Sequence, residues 1–239
     1  MHWDNIDSGI LRMVAGIPGG TSITDALFRK LDIKPGMKVL DISPGPGILA
    51  TIVAKQYGVR VTTLVGGADD ESATESAKAK IGVGDNVKVI PGTITTIPEP
   101  SEEFDVIFSM GYPFNPPPES MFAKEIYRVL APDGVVGIAG PCGIANFAPE
   151  YFEIALEEAG VSDVKTPAYA ALMFAREGFH ILTAEFFPDA RDHWNAWLKS
   201  APSGMVTDSL RRAIVEDSGR WMSLGLVVLK KPPKPAWAL

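Results

Sequence analysis

Residues 38–50, KVLDISPGPGILA, decide how the chain folds. Lys38-Val39-Leu40-Asp41 has the apolar, β-branched character of a buried strand's end, and Ile48-Leu49-Ala50-Thr51-Ile52-Val53-Ala54 continues as a helix. Between them stands a turn of Ser, Pro and Gly. The start of a helix leaves backbone N–H groups unpaired and carries partial positive charge, so a glycine turn there can bring backbone close to a polar or anionic ligand. Gly45 and Gly47 lack the Cβ atoms that would obstruct this approach. Many α/β proteins contain one such turn, so the order of the features around it has to decide.

Working outward toward the carboxyl end, the helix runs to about Tyr57 and stops at Gly58. Residues 59–65, VRVTTLV, alternate as a second strand, and Asp69-Asp70-Glu71 charge the start of a helix read as residues 71–81. Val87-Lys88-Val89-Ile90 is a third strand leaving through Pro91-Gly92-Thr93-Ile94, and FDVIFS at residues 104–109 is a fourth. An amphipathic helix carrying Ile126, Val129 and Leu130, a Pro132-Asp133-Gly134 turn and the strand 135–139 follow. Further on, residues 151–159 form a helix ended by Gly160, FHILTAEFF at 179–187 alternates as a strand, and WMSLGLVVLK at 221–230 is the last strand. Two helices are read between them, within about 190–220, one with Trp194 and Trp197 and one with residues 210–214. Toward the amino end, an amphipathic piece over 6–14 and a helix over 21–31 cap the domain within residues 1–33.

Strands alternating with helices specify an α/β fold with a mainly parallel sheet. At Asp41-Ile42-Ser43-Pro44-Gly45-Pro46-Gly47 the chain resembles the class I S-adenosylmethionine-dependent methyltransferases, in particular the ubiquinone and menaquinone biosynthesis group. The family's first motif has the form D-x-G-x-G-x-G, and here Ser43 replaces the first glycine. Residues 123–134, AKEIYRVLAPDG, resemble the family's E-I-x-R-V-L-x-P-G-G before strand five, and the acidic loop into FDVIFS resembles its fourth strand. The resemblance implies a Rossmann-like seven-stranded sheet with helices on both faces, an antiparallel last strand and small helical additions. It treats residues 1–239 as a single domain, with the helical insertion at about 190–220 placed to close over a substrate or to form a homodimer contact.

The same resemblance implies S-adenosylmethionine as cofactor, with the turn around its methionine half and Asp41 organising the loop. It also exposes departures. The position that in the family carries an acid for the ribose hydroxyls is Val65, followed by Gly66, and the place of the family's adenine-binding acid is taken by Thr93. A neutral group there gives up a charge-assisted hydrogen bond, about 1.5 to 3 kcal/mol each. Asn115-Pro116-Pro117 is compared with the N-P-P-Y motif of amino-group methyltransferases and set aside, because it does not follow the fourth strand directly and Pro118 replaces the aromatic residue.

Bulk properties narrow the function. A chain of 239 residues with 46% hydrophobic and 21% charged residues is an ordinary globular protein. A net charge of -7 speaks against general nucleic-acid binding, which needs a basic face. Cys142 is the single cysteine, which excludes an intramolecular disulfide and a Cys-rich zinc site, and no cluster has metal-ligand spacing. No secretory leader or membrane span is read, so a cytoplasmic protein is expected.

In open α/β sheets ligands bind beyond the carboxyl ends of the strands, where strand order reverses. That rule gathers Asp41, Ser43, Gly45, Gly47, Val65, Gly66, Thr93, Ile94 and Ser109 as expected cofactor-binding residues, with Tyr112 as the catalytic candidate and Gly140 to Cys142 nearby. His180, His193 and Cys142 are weaker candidates, read as structural or solvated groups. Methyl transfer needs mainly alignment and exclusion of water, and a base only where the acceptor must lose a proton. Two readings stand: methyl transfer to a small, hydrophobic or aromatic molecule, and a methyltransferase-like binding or scaffolding protein without ordinary cofactor use. A dehydrogenase is a distant third, since the G-x-G-x-x-G spacing is missing.

Overall fold

The computed structural model describes residues 1–4, 6–14, 16–111, 119–145, 148–158, 164–201 and 206–234. Two helices, α1 (Ser8–Val14) and α2 (Gly20–Phe28), precede β1 (Lys38–Asp41). Then come α3 (Ile48–Tyr57), β2 (Arg60–Val65), α4 (Ala68–Ile81), β3 (Val87–Pro91), β4 (Phe104–Met110), α5 (Glu119–Val129) and β5 (Leu130–Gly143). The chain closes with α6 (Glu150–Glu158), α7 (Pro167–Arg176), β6 (His180–Phe186), α8 (Ala190–Ser200), α9 (Asp208–Asp217) and β7 (Met222–Lys230).

The seven strands lie in the order β3-β2-β1-β4-β5-β7-β6. Strands β1 to β5 pair in parallel, and β7 runs antiparallel between β5 and β6. This is the α/β sheet expected from the sequence, with strand order reversing between β1 and β4. Strands covered on both faces need apolar side chains on both. Val39 and Leu40 of β1 and Ile107 and Phe108 of β4 accordingly show no solvent exposure. One face is packed by Ile23 and Leu27 of α2, Ile52 of α3 and Trp194 and Trp197 of α8. The other is packed by Phe122 and Ile126 of α5 with Phe174 of α7 and Phe179. A Cβ on Gly137 would stand 2.6 Å from Leu31, so the segment after α2 sits directly on β5 at a residue with no side chain.

Several boundaries differ from the sequence reading, each for a physical reason. β5 begins at Leu130 rather than Val135, and its pairing with β4 jumps from Phe104↔Leu130 to Val106↔Val135, so residues 131–134 loop out as a bulge. Asp133 N–H donates to the Lys231 carbonyl and Lys231 N–H to the Gly134 carbonyl, which ties the bulge to the end of β7. The Lys231 ammonium donates to the carbonyls of Tyr127 and Leu130 and lies over the Tyr127 ring, completing the end of α5. α4 begins three residues earlier than read, at Ala68, which puts Asp69, Asp70 and Glu71 in its first turn. No helix is read from the sequence between Gly160 and Phe179, yet α7 forms there. Thr166 caps it by accepting from Tyr169 N–H, and Pro167 stands at its first position.

The run that resembles the family's E-I-x-R-V-L motif proves to be a clamp. Arg128 bonds Glu125 and donates to the carbonyls of Ile97 and Glu99, while Glu125 accepts from Ile97 N–H. α5 thereby fixes the connection from β3 to β4. α8 and α9 fall in the range read as a helical insertion, about 190–220, and pack on the α2 face.

Candidate active site

The turn after β1 is organised from within. Asp41 is buried, its Oδ1 accepts from Ser43 N–H at 2.8 Å and its Oδ2 faces the Thr63 hydroxyl at 3.5 Å. Burial strips water from the carboxylate and raises its pKa from 3.8 to about 6, with the bonds from Ser43 and Thr63 pulling the other way. Ser43, the residue in place of the family's first glycine, has a use of its own. Its hydroxyl accepts from Met110 N–H at 2.9 Å, fastening the turn to the end of β4.

The two glycines do different things. Gly45 has φ +84°, and a Cβ there would meet nothing within 4 Å, so the backbone conformation demands glycine and the space beside it is open. Gly47 has ordinary φ, but a Cβ would lie 2.4 Å from Thr63 Oγ1. Its amide already donates to Thr74 Oγ1 at 3.1 Å. Gly47 thus serves the packing of α3 on β2, with its amide held by Thr74. Ile48 N–H bonds the Pro46 carbonyl and Ser43 N–H bonds Asp41, while Pro44 and Pro46 have no N–H. Over residues 43–48 that leaves the Gly45 amide uncommitted among the described residues.

A cavity of about 240 Å³ opens on this turn. Asp41, Ser43, Gly45 and Pro46 form its floor with Leu49 and Met110, and Val14, Gly16, Ile17 and Thr24 wall it from the amino-terminal segment. That segment is tied to the end of β4 and to α8. Ile17 packs so closely on Gly111 that a Cβ there would stand 2.5 Å from Ile17 Cγ2. Trp197 of α8 donates its indole N–H to the Gly16 carbonyl at 2.9 Å. Sequence reasoning named neither Ile17 nor Trp197 as a site residue, since both contacts join parts of the chain far apart in sequence.

The remaining expected residues lie outside the cavity's lining. Val65 ends β2 buried, followed by exposed Gly66 and Gly67. Asp70 leans back from α4, its Oδ2 lying 3.6 Å from where a Gly66 Cβ would be. Its carboxylate makes no hydrogen bond among the described residues, and α4 has no side-chain cap. A carboxylate therefore stands beside the end of β2, supplied from the next helix. Thr93 is exposed, with its hydroxyl 3.2 Å from that of Thr95, and Ile94 is partly buried against the second core. Ser109 alternates with Met110, so it faces the α5 side and not the cavity. Its hydroxyl is buried and lacks a hydrogen-bond partner among the described residues.

Tyr112, the expected catalytic residue, lies outside the described residues. His180 begins β6 opposite Lys230, at the amino end of the parallel strands and away from the turn. His193 packs on Phe187 with ring centroids 5.1 Å apart. Cys142 is fully buried, and burial pushes its thiol pKa far above the usual range, so it is an inert apolar group. No group of three His, Cys, Asp or Glu residues able to hold a metal occurs among the described residues.

Residues 39–134, from β1 through the bulge in β5, match the family model described as a methyltransferase domain. This stretch resembles a methyltransferase domain. A sterol 24-C-methyltransferase of Gibberella zeae is 32% identical over 112 residues, covering 47% of this chain and 30% of that protein. A demethylmenaquinone methyltransferase of Lactobacillus johnsonii is 33% identical over 115 residues, 46% of each. The chain therefore spans less than half the length of these curated relatives. Among solved structures, geranyl diphosphate C-methyltransferase from Streptomyces coelicolor, in complex with Mg2+, geranyl diphosphate and S-adenosyl-L-homocysteine, superposes with a TM-score of 0.76. The match covers 89% of this chain and 77% of that one at 13% identity, which establishes the class I methyltransferase fold.

Proposed function

We propose that the methyltransferase domain binds S-adenosylmethionine and transfers its methyl group to a small-molecule acceptor. The observation that carries the reading is the cavity at the strand-order reversal, floored by Asp41, Ser43 and Gly45 and roofed by Val14 and Ile17. The residues fit the cofactor in two parts. A cavity of about 240 Å³ is below the roughly 300 to 1,000 Å³ of pockets that enclose a whole drug-sized ligand, so it suits the amino-acid half alone. The nucleoside half then lies over Val65, Gly66, Thr93 and Ile94, where Asp70 offers the carboxylate that β2 itself does not.

When bound, the cofactor supplies an electrophilic methyl group. The chain's residues hold and shield it. The Gly45 N–H is free to donate to a carboxylate, the ionised Asp41 attracts the cationic centres, and Leu49, Met110 and Ile17 keep water out. Alignment of the acceptor accounts for most of the rate, and Tyr112 is the proposed group for orienting it. The acceptor is a small molecule. A cytoplasmic location is part of this proposal; no helix among the described residues is long and apolar enough to cross a membrane. Ile181, Leu182 and Phe186, exposed on the edge strand β6, are the surface on which a second copy would pair.

A second reading, a binding or scaffolding protein on the same fold, is favoured by the bonded amides of the turn and by Val65 at the end of β2. Calorimetric titration of the full chain with S-adenosylmethionine separates the two. Saturable binding supports the transferase, and absence of heat up to millimolar ligand overturns it in favour of the scaffold.

A further inference from the structure

A second cavity, of about 340 Å³, lies where β5 and β7 reach past the rest of the sheet. Gly111 N–H bonds the Ala139 carbonyl, so the end of β4 is level with Ala139. Gly143, in the lining of this cavity, is four residues further along β5, which at the rise of a strand is about 13 Å. The cavity is therefore separate from the one at the turn, although the same core cluster backs both.

Its chemistry is one-sided. Glu153 and Glu157 of α6 and the indole of Trp221 line it together with apolar Phe152, Leu156 and Met222, and none of the lining residues is Lys, Arg or His. Glu153 and Glu157 stand one helical turn apart, a spacing at which like charges repel, and Glu157 adds negative charge to the helix end that already carries the negative pole. The Glu157 carboxylate makes no hydrogen bond among the described residues, and that of Glu153 accepts only a long one, 3.4 Å, from Ala148 N–H. The arrangement costs stability as it stands and is relieved by a positive charge between the two carboxylates.

The aromatic wall is fixed in place. Asp217 is buried and accepts from Gly219, Trp221 and Met222 N–H, while the Trp221 carbonyl accepts from Ile144 N–H. Backbone on both sides of the indole is held, and its own N–H has no partner among the described residues. An indole carries negative charge on its ring faces, which attract a cation, and Phe152, Leu156 and Met222 offer room for hydrocarbon. We infer that this cavity is a binding site for an organic ammonium ligand with a compact apolar body, distinct from the cofactor cavity at the turn.

The test is titration of the full chain with n-hexylammonium, hexanol and hexanoate, followed calorimetrically and by the indole N–H resonance that disappears in Trp221→Phe. The expected result is saturable one-to-one binding of n-hexylammonium with a shift of the Trp221 signal, hexanol at least about tenfold weaker, and hexanoate weaker still. The Glu153→Gln/Glu157→Gln double variant, both positions being solvent-facing, unfolds at the parent's temperature or slightly above it and loses about tenfold in affinity for n-hexylammonium. Equal affinity for the three probes, no saturable binding of the ammonium, or a double variant that binds as well as the parent overturns the proposal. Titration with S-adenosylmethionine on the same sample keeps the two readings apart. Cofactor binding without ammonium binding refutes this site alone, and the converse refutes only the transferase.

Discussion

Asp41→Asn is expected to make the protein more stable at pH 8 and to change it little at pH 4. The Asp41 carboxyl is fully enclosed and titrates near pH 6 instead of 3.8. The folded protein thus holds this proton more tightly than the unfolded chain, and the stability that protonation confers is complete below pH 3.8 and lost as pH rises through 6. At 1.36 kcal/mol per unit, the rise from 3.8 to about 6 corresponds to about 3 kcal/mol lost by neutral pH. Asparagine has nearly the same shape, keeps an oxygen for Ser43 N–H and carries no charge to enclose, so its variant escapes that loss. The assay is thermal or urea unfolding of both proteins from pH 4 to pH 8, reading the difference between them, in which the other titrating groups cancel. For a chain of this size the gap should open to about 6 to 12 °C in Tm by pH 8. Parallel curves, or a parent protein that gains on the variant as pH rises, would show that Asp41 is not enclosed in its charged form and that the account of the turn is wrong.

Other consequences follow from the same neighbourhood. Gly47→Ala drives a methyl group into Thr63 and should cost about 1 to 3 kcal/mol in urea unfolding, whereas Gly45→Ala meets open space and should cost only the left-handed backbone strain, about 1 kcal/mol. The reverse ranking would contradict the division of labour between the two glycines. Ser43→Ala leaves the Met110 amide without its acceptor and should lower stability by about 1 to 2 kcal/mol, and a variant as stable as the parent would dismiss the fastening of turn to β4. Asp70→Asn should weaken binding of S-adenosylhomocysteine by at least about tenfold with no change in unfolding temperature, because the Asp70 carboxylate has no hydrogen bond among the described residues to lose. Unchanged affinity would remove Asp70 from the nucleoside site.

The order of strands and helices was legible because it depends on local periodicity. Val39 and Leu40, Phe104 to Phe108 and the alternating run of β6 each announce a strand within a few residues. The bulge at 131–134 was half legible: Pro132 and Gly134 signal a turn, but the return of Leu130 to pair with Phe104 is a register effect that only the sheet creates. α7 carried a readable signal, Thr166 followed by Pro167, at a position where no helix was sought. At the site, the prolines at 44 and 46 could have warned that the turn is poor in amide donors. The bond from Gly47 to Thr74 could not be foreseen, since it joins residues 27 apart. The facing of Ser109 away from the cavity is a matter of strand parity, fixed only once Met110 is seen to line it.

The tie between Trp197 and Gly16 spans 181 residues of chain and closes the roof of the turn cavity. A contact of such sequence separation carries a large loop-closure entropy and forms only after the intervening sheet has assembled. The turn cavity is then expected to be the last part of the molecule to mature and the first to open under mild denaturant. Amide exchange at Ile17 to Gly20 should accordingly report a sub-global opening well below the free energy that unfolds β1 and β4.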